Sequence, residues 1–209
     1  MKKMIGFFFV LTIMLVATNS QASFITSSGD AALAGASVDD MSGWLSGNWS
    51  GASSTDLSYV ADDNHLRFSS TYSGSYNTTG QSLNNGTYSD PGFSSLTITF
   101  NHGTSGFGFN WGAAEDFASW QLAAYDAGDT LLESYALPST GSSNAGEFYG
   151  IAASNISYAK LSWGGDYDWV FIDNMTYATT SAVPEPSTIV LLGAGLLGLA
   201  FVARRRNEA

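Results

Sequence analysis

The sequence predicts an all-β body, a β-sandwich of jelly-roll type, set between two apolar ends. Three observations carry that expectation. The second half of the chain holds short apolar runs of period two, such as Leu96, Ile98 and Phe100 alternating with Thr97 and Thr99, which is the pattern of a half-buried strand. Turn residues separate these runs at short intervals. Charged residues make up only 12% of the chain, against about a quarter in soluble globular proteins, so the Glu, Lys and Arg that coat helices are scarce.

The elements follow in order. After a turn at Asn101-His102-Gly103, the run Phe107, Phe109 and Trp111 alternates with Gly108 and Asn110 as a second strand. Trp120, Leu122 and Ala124 lead to a compact turn at Asp126-Ala127-Gly128-Asp129 and a return run over 130–137, which reads as a β-hairpin. Residues 156–163 and 169–177 supply the last strands, and Trp111 and Trp120, placed in alternating runs, belong to the core. The Ser-, Gly- and Asn-rich stretch 23–90 offers strands near 57–60 and 66–72 and a short helix within 31–41. From about 93 to 177 the spacing of strands and turns is that of a sandwich or jelly roll.

Composition narrows the function. The net charge is −11, and of the seven basic residues only Arg67 and Lys160 lie outside the two ends. A body so acidic repels nucleic acid and anionic lipid, and suits neutral polysaccharide or divalent cations as partners. The chain has no cysteine, which excludes disulfides, thiolate metal sites and cysteine nucleophiles.

The ends read as addresses. Lys2 and Lys3, an apolar run from Ile5 to Ala17, and small residues up to Ala22 form the three parts of a secretory signal, with signal peptidase cleaving between Ala22 and Ser23. At the other end Val183, Pro184, Glu185 and Pro186 precede an uncharged run from Ser187 to Ala203, at the lower limit of about 17 residues for a membrane-spanning helix. Arg204, Arg205 and Arg206 follow and stay cytoplasmic by the positive-inside rule, which leaves the body on the far side. The expected organisation is a signal peptide at 1–22, a β-sandwich body at 23–182 and a sorting tail at 183–209.

The order of Pro-Glu-Pro, apolar helix and terminal arginine cluster resembles the PEP-CTERM sorting signal of Gram-negative exported proteins. That resemblance implies recognition by a membrane-embedded exosortase, processing near Pro184-Glu185-Pro186, and delivery of the body to the envelope surface or the extracellular matrix. A plain single-span anchor is the competing reading. The body, through Gly106–Gly112, the Asp126 hairpin and Phe171–Tyr177, is similar to other PEP-CTERM bodies of carbohydrate-binding-module shape. In jelly-roll modules of that kind a structural calcium joins an early acidic residue to an aspartate of the last strand. Here Asp39 or Asp40 and Asp173 occupy those places, with turn capping by the same side chains as the alternative. Asp62-Asp63-Asn64 and Asp166-Tyr167-Asp168 are further oxygen-rich clusters.

No catalytic residue is assigned. The two histidines, His65 and His102, stand beside turn residues, no Gly-x-Ser-x-Gly elbow occurs, and nothing pairs Glu115, Asp116, Glu133 or Glu147 for glycoside hydrolysis. Trp44 and Trp49, in Gly/Ser-rich sequence, are the candidates for stacking on sugar rings. The Asn-x-Ser/Thr sequons at Asn48, Asn77, Asn85, Asn155 and Asn174 are read as accidents of composition. The expectation is an exported, non-enzymatic protein with a structural or adhesive role in exopolysaccharide or biofilm. A carbohydrate-binding module is the alternative, and a secreted glycoside hydrolase ranks third.

Overall fold

The computed structural model describes residues 22–62, 65–75, 78–85, 95–114, 119–140, 147–164 and 168–179, together with Gly193 and Gly195; Asn48 and Trp163 are described in backbone only. The chain divides into two units, Ser20–Ser181 and a second formed by Met1–Asn19 with Ala182–Ala209. Of the second unit only Gly193 and Gly195 are described, both with helical backbone. No helix among the described residues is long and apolar enough to cross a membrane. The expected signal segment, the Pro-Glu-Pro motif and the arginine cluster lie outside the described residues.

The body is all-β. Its strands are β1 (Ser23–Ile25), β2 (Ser37–Asp39), β3 (Gly47–Trp49), β4 (Gly51–Ser53), β5 (Leu57–Ala61), β6 (Leu66–Ser69), β7 (Ser82–Asn84), β8 (Ser95–Gly112), β9 (Trp120–Tyr125), β10 (Leu131–Ala136), β11 (Glu147–Trp163) and β12 (Phe171–Thr179). All pairings are antiparallel. The early part of β8 and the late part of β11 sit in one layer, ordered β10-β9-β11-β8-β5-β4. The late part of β8 and the early part of β11 sit in another, ordered β1-β11-β8-β12-β7-β6-β3, with β2 beside β7 on the same edge of β12. Leu57, Tyr59, Ile98 and Leu122 of the first layer pack with Phe68, Leu83, Phe107 and Ile151 of the second in one buried cluster.

The change of layer is written in the phase of the apolar pattern. Leu96, Ile98 and Phe100 face the core at even positions, whereas Phe107, Phe109 and Trp111 do so at odd ones. Between them the strand turns a corner, as strands that switch sheets do at bulges. Gly103 takes a φ of 68° there, and Asn155, at the matching corner of β11, a φ of 64°. Both are residue types that tolerate the left-handed region. Thr104 Oγ1 lies 2.7 Å from the Ala178 carbonyl oxygen, and Asn101 Nδ2 donates to Ser54 O (3.2 Å) and Thr55 O (3.0 Å), fixing the corner to its neighbours.

Three expectations are corrected. Asn101–Gly103 is the corner of one 18-residue strand, not a turn between two, because β11 bends alongside and keeps both halves paired. The segment 31–41 holds a single 3-10 turn, Ala31–Leu33, followed by β2. Asp30 caps that turn and Gly35, at φ 73°, ends it before a helix can propagate. The last strand starts at Phe171, because the Val170 N–H is taken by the Asn85 side chain (3.0 Å). The hairpin at Asp126 and the burial of Trp111 and Trp120 stand as expected.

Candidate functional site: an aromatic hollow at one edge of the body

The stretch between β2 and β5 has few apolar residues, so side chains bonding to backbone shape it. Asp39 Oδ1 accepts the Met41 N–H (3.0 Å), and Met41, at φ 60°, tucks its side chain into the core. Asp39 Oδ2 accepts the Trp44 indole N–H (2.8 Å) and the Tyr59 hydroxyl (3.3 Å). Trp44 also stacks on Phe68 at 5.1 Å and 6° and meets the edge of Tyr59 at 5.3 Å and 78°. A ring held by a hydrogen bond and two aromatic neighbours is fixed before any ligand arrives. Burial first, and Asp39 second, push the Tyr59 hydroxyl well above its ordinary range, so it remains a donor.

Trp49 closes β3 and is 40% exposed, its indole N–H donating to Leu45 O (3.2 Å). Gly47, at φ 144°, leaves room for this indole: a Cβ there would stand 3.3 Å from Trp49 Nε1. Trp44, Trp49, Leu45 and Ser53 are among the residues that bound an open hollow of about 310 Å³, with Phe68, Ala52 and two glycines completing it. The lining holds no titratable group. Such a hollow can stack a flat apolar face against indole rings but has nothing to move a proton with. Of the two proposed ligand aromatics, Trp49 is exposed, whereas Trp44 is half-buried and presents only part of its ring.

The expected calcium ligands divide. Asp173 is buried in β12; its Oδ1 accepts the Asn174 N–H (2.7 Å), and its Oδ2 has no hydrogen-bond partner. Burial, followed by the charges of Asp40 and Asp39, raises its carboxyl to about 6. An orphaned buried oxygen is what a cation or a proton would satisfy. Asp39, however, has both oxygens committed to Met41, Trp44 and Tyr59. Asp40 Oδ1 accepts the Ser42 N–H (3.0 Å) and hydroxyl (2.6 Å), which hold its carboxyl below the usual range. Among the described residues no three acidic or histidine side chains converge to hold a metal. Calcium takes six to eight oxygens, and these residues do not fit it as a set; Asp39 and Asp40 act as turn caps. Asp168 is spent on structure as well, accepting the Trp120 indole (2.8 Å) and the Trp169 N–H (2.8 Å), while Asp63, Asn64 and Asp166 lie outside the described residues.

The candidate catalytic groups are scattered. His65 precedes β6, and His102, at the β8 corner, has Nε2 3.7 Å from Asp56 Oδ1. Glu133 Oε1 accepts the Ser134 N–H (3.0 Å) and Glu147 accepts the Tyr149 hydroxyl, while Glu115 and Asp116 lie outside the described residues. Three sequon asparagines hold backbone positions. Asn85 bonds the carbonyl of Asp168 and the N–H of Val170, and Asn155 and Asn174 adopt positive φ. Sequence reasoning missed Tyr59, Phe68 and Asp56, since no local pattern links Asp39 to Tyr59 across 20 residues, or Tyr177 to Asp56 across 121.

No curated protein matches the chain in sequence. Among solved structures it is similar to the K3 cleaved adhesin domain of Lys-gingipain from Porphyromonas gingivalis, at 13% identity over 60% of this chain and 93% of that one, with a TM-score of 0.40. It is also similar to TmCBM61 in complex with beta-1,4-galactotriose, at 15% identity over 60% and 89%, with a TM-score of 0.33. Tailspike protein 4 of bacteriophage CBA120 shares 12% identity over 62% of this chain and 18% of that one, at a TM-score of 0.31. Likenesses this distant carry no ligand or activity over to the chain. Residues 182–206, by contrast, match the family model of the PEP-CTERM protein-sorting motif. The chain is thus a carrier of the PEP-CTERM sorting signal, which implies export as a membrane-anchored precursor and processing by an exosortase.

Proposed function

We propose that the chain is a surface or extracellular-matrix protein of a Gram-negative cell that works by adhesion and not by catalysis, its body seated in exopolysaccharide or biofilm. The observation that carries this reading is the hollow at Trp44 and Trp49, prearranged by Asp39 and Phe68 and lined by no acid or base. Signal peptidase cleaves between Ala22 and Ser23. In support, Ser23 opens β1 opposite Ala152, so a cut there leaves the first strand whole. Exosortase reads Val183–Pro186, the run from Ser187 to Ala203 spans the membrane as a helix, and Arg204–Arg206 stop transfer. The two-layered body, with its main core shared by both layers and a smaller cluster at Ile25, Leu33, Phe148 and Ala152, supports a sandwich of jelly-roll, carbohydrate-binding-module type.

Within that role the body is a carbohydrate-recognition module that stacks neutral sugar rings in the hollow. The test is retention of the full-length chain, in detergent, on insoluble exopolysaccharide. Wild type is retained and Trp49→Ala is released about ten-fold more readily; equal retention of both would remove the module reading. Intact-mass measurement of the surface form should show a chain beginning at Ser23 and ending near the Pro-Glu-Pro motif. The body requires no cofactor. A structural calcium on Asp173, completed by ligands other than Asp39 and Asp40, is the second reading, favoured by the partnerless Oδ2. A rise in melting temperature on replacing chelator by calcium, lost in Asp173→Asn, would establish it.

A further inference from the structure

The aromatic hollow does not end at Trp44. A second hollow of about 310 Å³ shares Gly43, Trp44 and Ser53 with the first and continues past Asp39 to Tyr177. A third, of about 230 Å³, shares Tyr177 with the second and runs to Asp56 and His102 at the β8 corner. Each alone is at or below the small end of ligand sites, which begin at about 300 Å³. Through these shared residues the three hollows adjoin in sequence, the second lying between the first and the third.

Its chemistry is consistent from end to end. Trp49, Trp44, Tyr177 and His102 place a planar ring in every segment. Carboxylates stand among them: Asp39, whose oxygens hold Met41, Trp44 and Tyr59, lies in the middle, and at the far end Asp56 Oδ2 accepts the Tyr177 hydroxyl (3.2 Å) while Oδ1 faces His102. Ser53 adds a hydroxyl that can donate or accept, while the Ser54 hydroxyl is bonded to the Leu57 backbone. No Lys or Arg lines any of the three segments. Rings alternating with hydrogen-bonding groups match a ligand whose units each offer an apolar face and a polar rim. Two carboxylates and no Lys or Arg disfavour an anionic one. Val38 and Leu45, both exposed, border the hollows and widen their apolar floor.

We infer that the three adjoining hollows act as one groove, an extended binding site for a linear, uncharged polysaccharide taken along its length, with Asp56, His102 and Tyr177 forming a distal subsite. The inference rests on the glycan-binding reading above and adds its direction, its charge class and a second set of contacts. Asp56 and His102 are exposed and Tyr177 half-buried, so the first two can be altered without touching the core.

The experiment is calorimetric titration of the full-length chain in detergent with ladders of neutral gluco-, galacto- and xylo-oligosaccharides of increasing length, and with an oligouronate ladder. Affinity for at least one neutral ladder should climb about ten-fold between the shortest and longest members, and the uronates should bind about ten-fold more weakly. Asp56→Ala and His102→Ala should each lower affinity for the long member several-fold while leaving the short member unchanged; Trp49→Ala should weaken both. Unchanged melting temperatures would show that the variants fold. Binding that is complete with the shortest sugar, or indifferent to Asp56 and His102, overturns the extended groove and leaves the Trp44–Trp49 hollow standing. Preference for the uronates overturns the charge assignment. Failure of every ladder to bind removes the groove and the module reading together.

Discussion

The two halves of the body reach order by different means. From Ser95 to Thr179 the chain makes β8, β9, β10, β11 and β12, whose alternating apolar residues build most of the core. From Ser23 to Asn84 it makes seven strands, none longer than five residues. Besides their strand pairings, these are held by side chains bonding to nearby backbone, as at Asp39, Asp40 and Ser54. The first half therefore resembles a set of loops laid on the scaffold of the second, and it carries most of the aromatic groove. Binding surfaces commonly sit on irregular segments positioned by rigid ones.

The sharpest way to break this comparison is to add one methyl group to each half. Gly108 and Gly150 face each other across β8 and β11. A Cβ at Gly150 would overlap the Phe107 carbonyl oxygen and stand 2.6 Å from Gly108 Cα. The obstruction is backbone within the longest strand pair, so no side chain can swing aside. Gly150→Ala is expected to cost about 4 kcal/mol or more, read as loss of the cooperative urea transition. Gly43 lines the groove and a Cβ there meets nothing within 4 Å. Gly43→Ala should move stability by less than about 0.5 kcal/mol. Equal effects would mean that the halves are not scaffold and surface.

The same contrast decides what the sequence reveals. Trp111, Trp120 and Leu122 show their burial through period-two alternation, because a strand run of about six residues repeats the pattern often enough to be read. β1, β2, β3, β4 and β7 have three residues each, too few to print a period in the sequence. The corner at Asn101–Gly103 misleads because Asn-His-Gly has turn composition, and only the paired bend at Asn155 shows that the strand continues. At the site, Trp44 and Trp49 are legible as aromatics stranded in a polar stretch. Asp56, His102 and Tyr177 meet only through tertiary structure, and no local spacing announces them.

A second test falls on the joint between the halves. β2 pairs with β12, and its last residue, Asp39, anchors both Trp44 and buried Tyr59. Asp39→Ala leaves two donors without their acceptor and removes the cap on Met41. The expected loss is about 2 kcal/mol, read by urea unfolding, with a red shift of tryptophan emission as Trp44 loosens. Asp39→Asn keeps an acceptor oxygen and should recover about half. Were Asp39→Ala silent, Trp44 would be held by stacking alone, and the groove would owe nothing to the carboxylate.

The smallest expected effect concerns Asp173, on the scaffold side of the same joint. Its carboxyl titrates near 6 when folded, raised chiefly by burial, against an ordinary value of 3.8. Between those values the folded chain binds the extra proton, so this group's contribution is fully present below about pH 4 and is lost as pH rises through about 6. Asp40 and Asp126 are shifted the other way by hydrogen bonds from their own turns. Their contributions are lost only as pH falls below the ordinary carboxylate range, outside the interval from about pH 4 to about pH 6 in which Asp173 acts. In chelator, wild type should weaken by on the order of 1 kcal/mol across that interval, a figure discounted for solvent screening. Asp173→Asn should flatten the slope and gain a similar amount near neutrality. A wild-type slope of the opposite sign would mean that the buried Oδ2 is satisfied as an anion. The joint between strands and loops would then hold a positive partner instead of a proton.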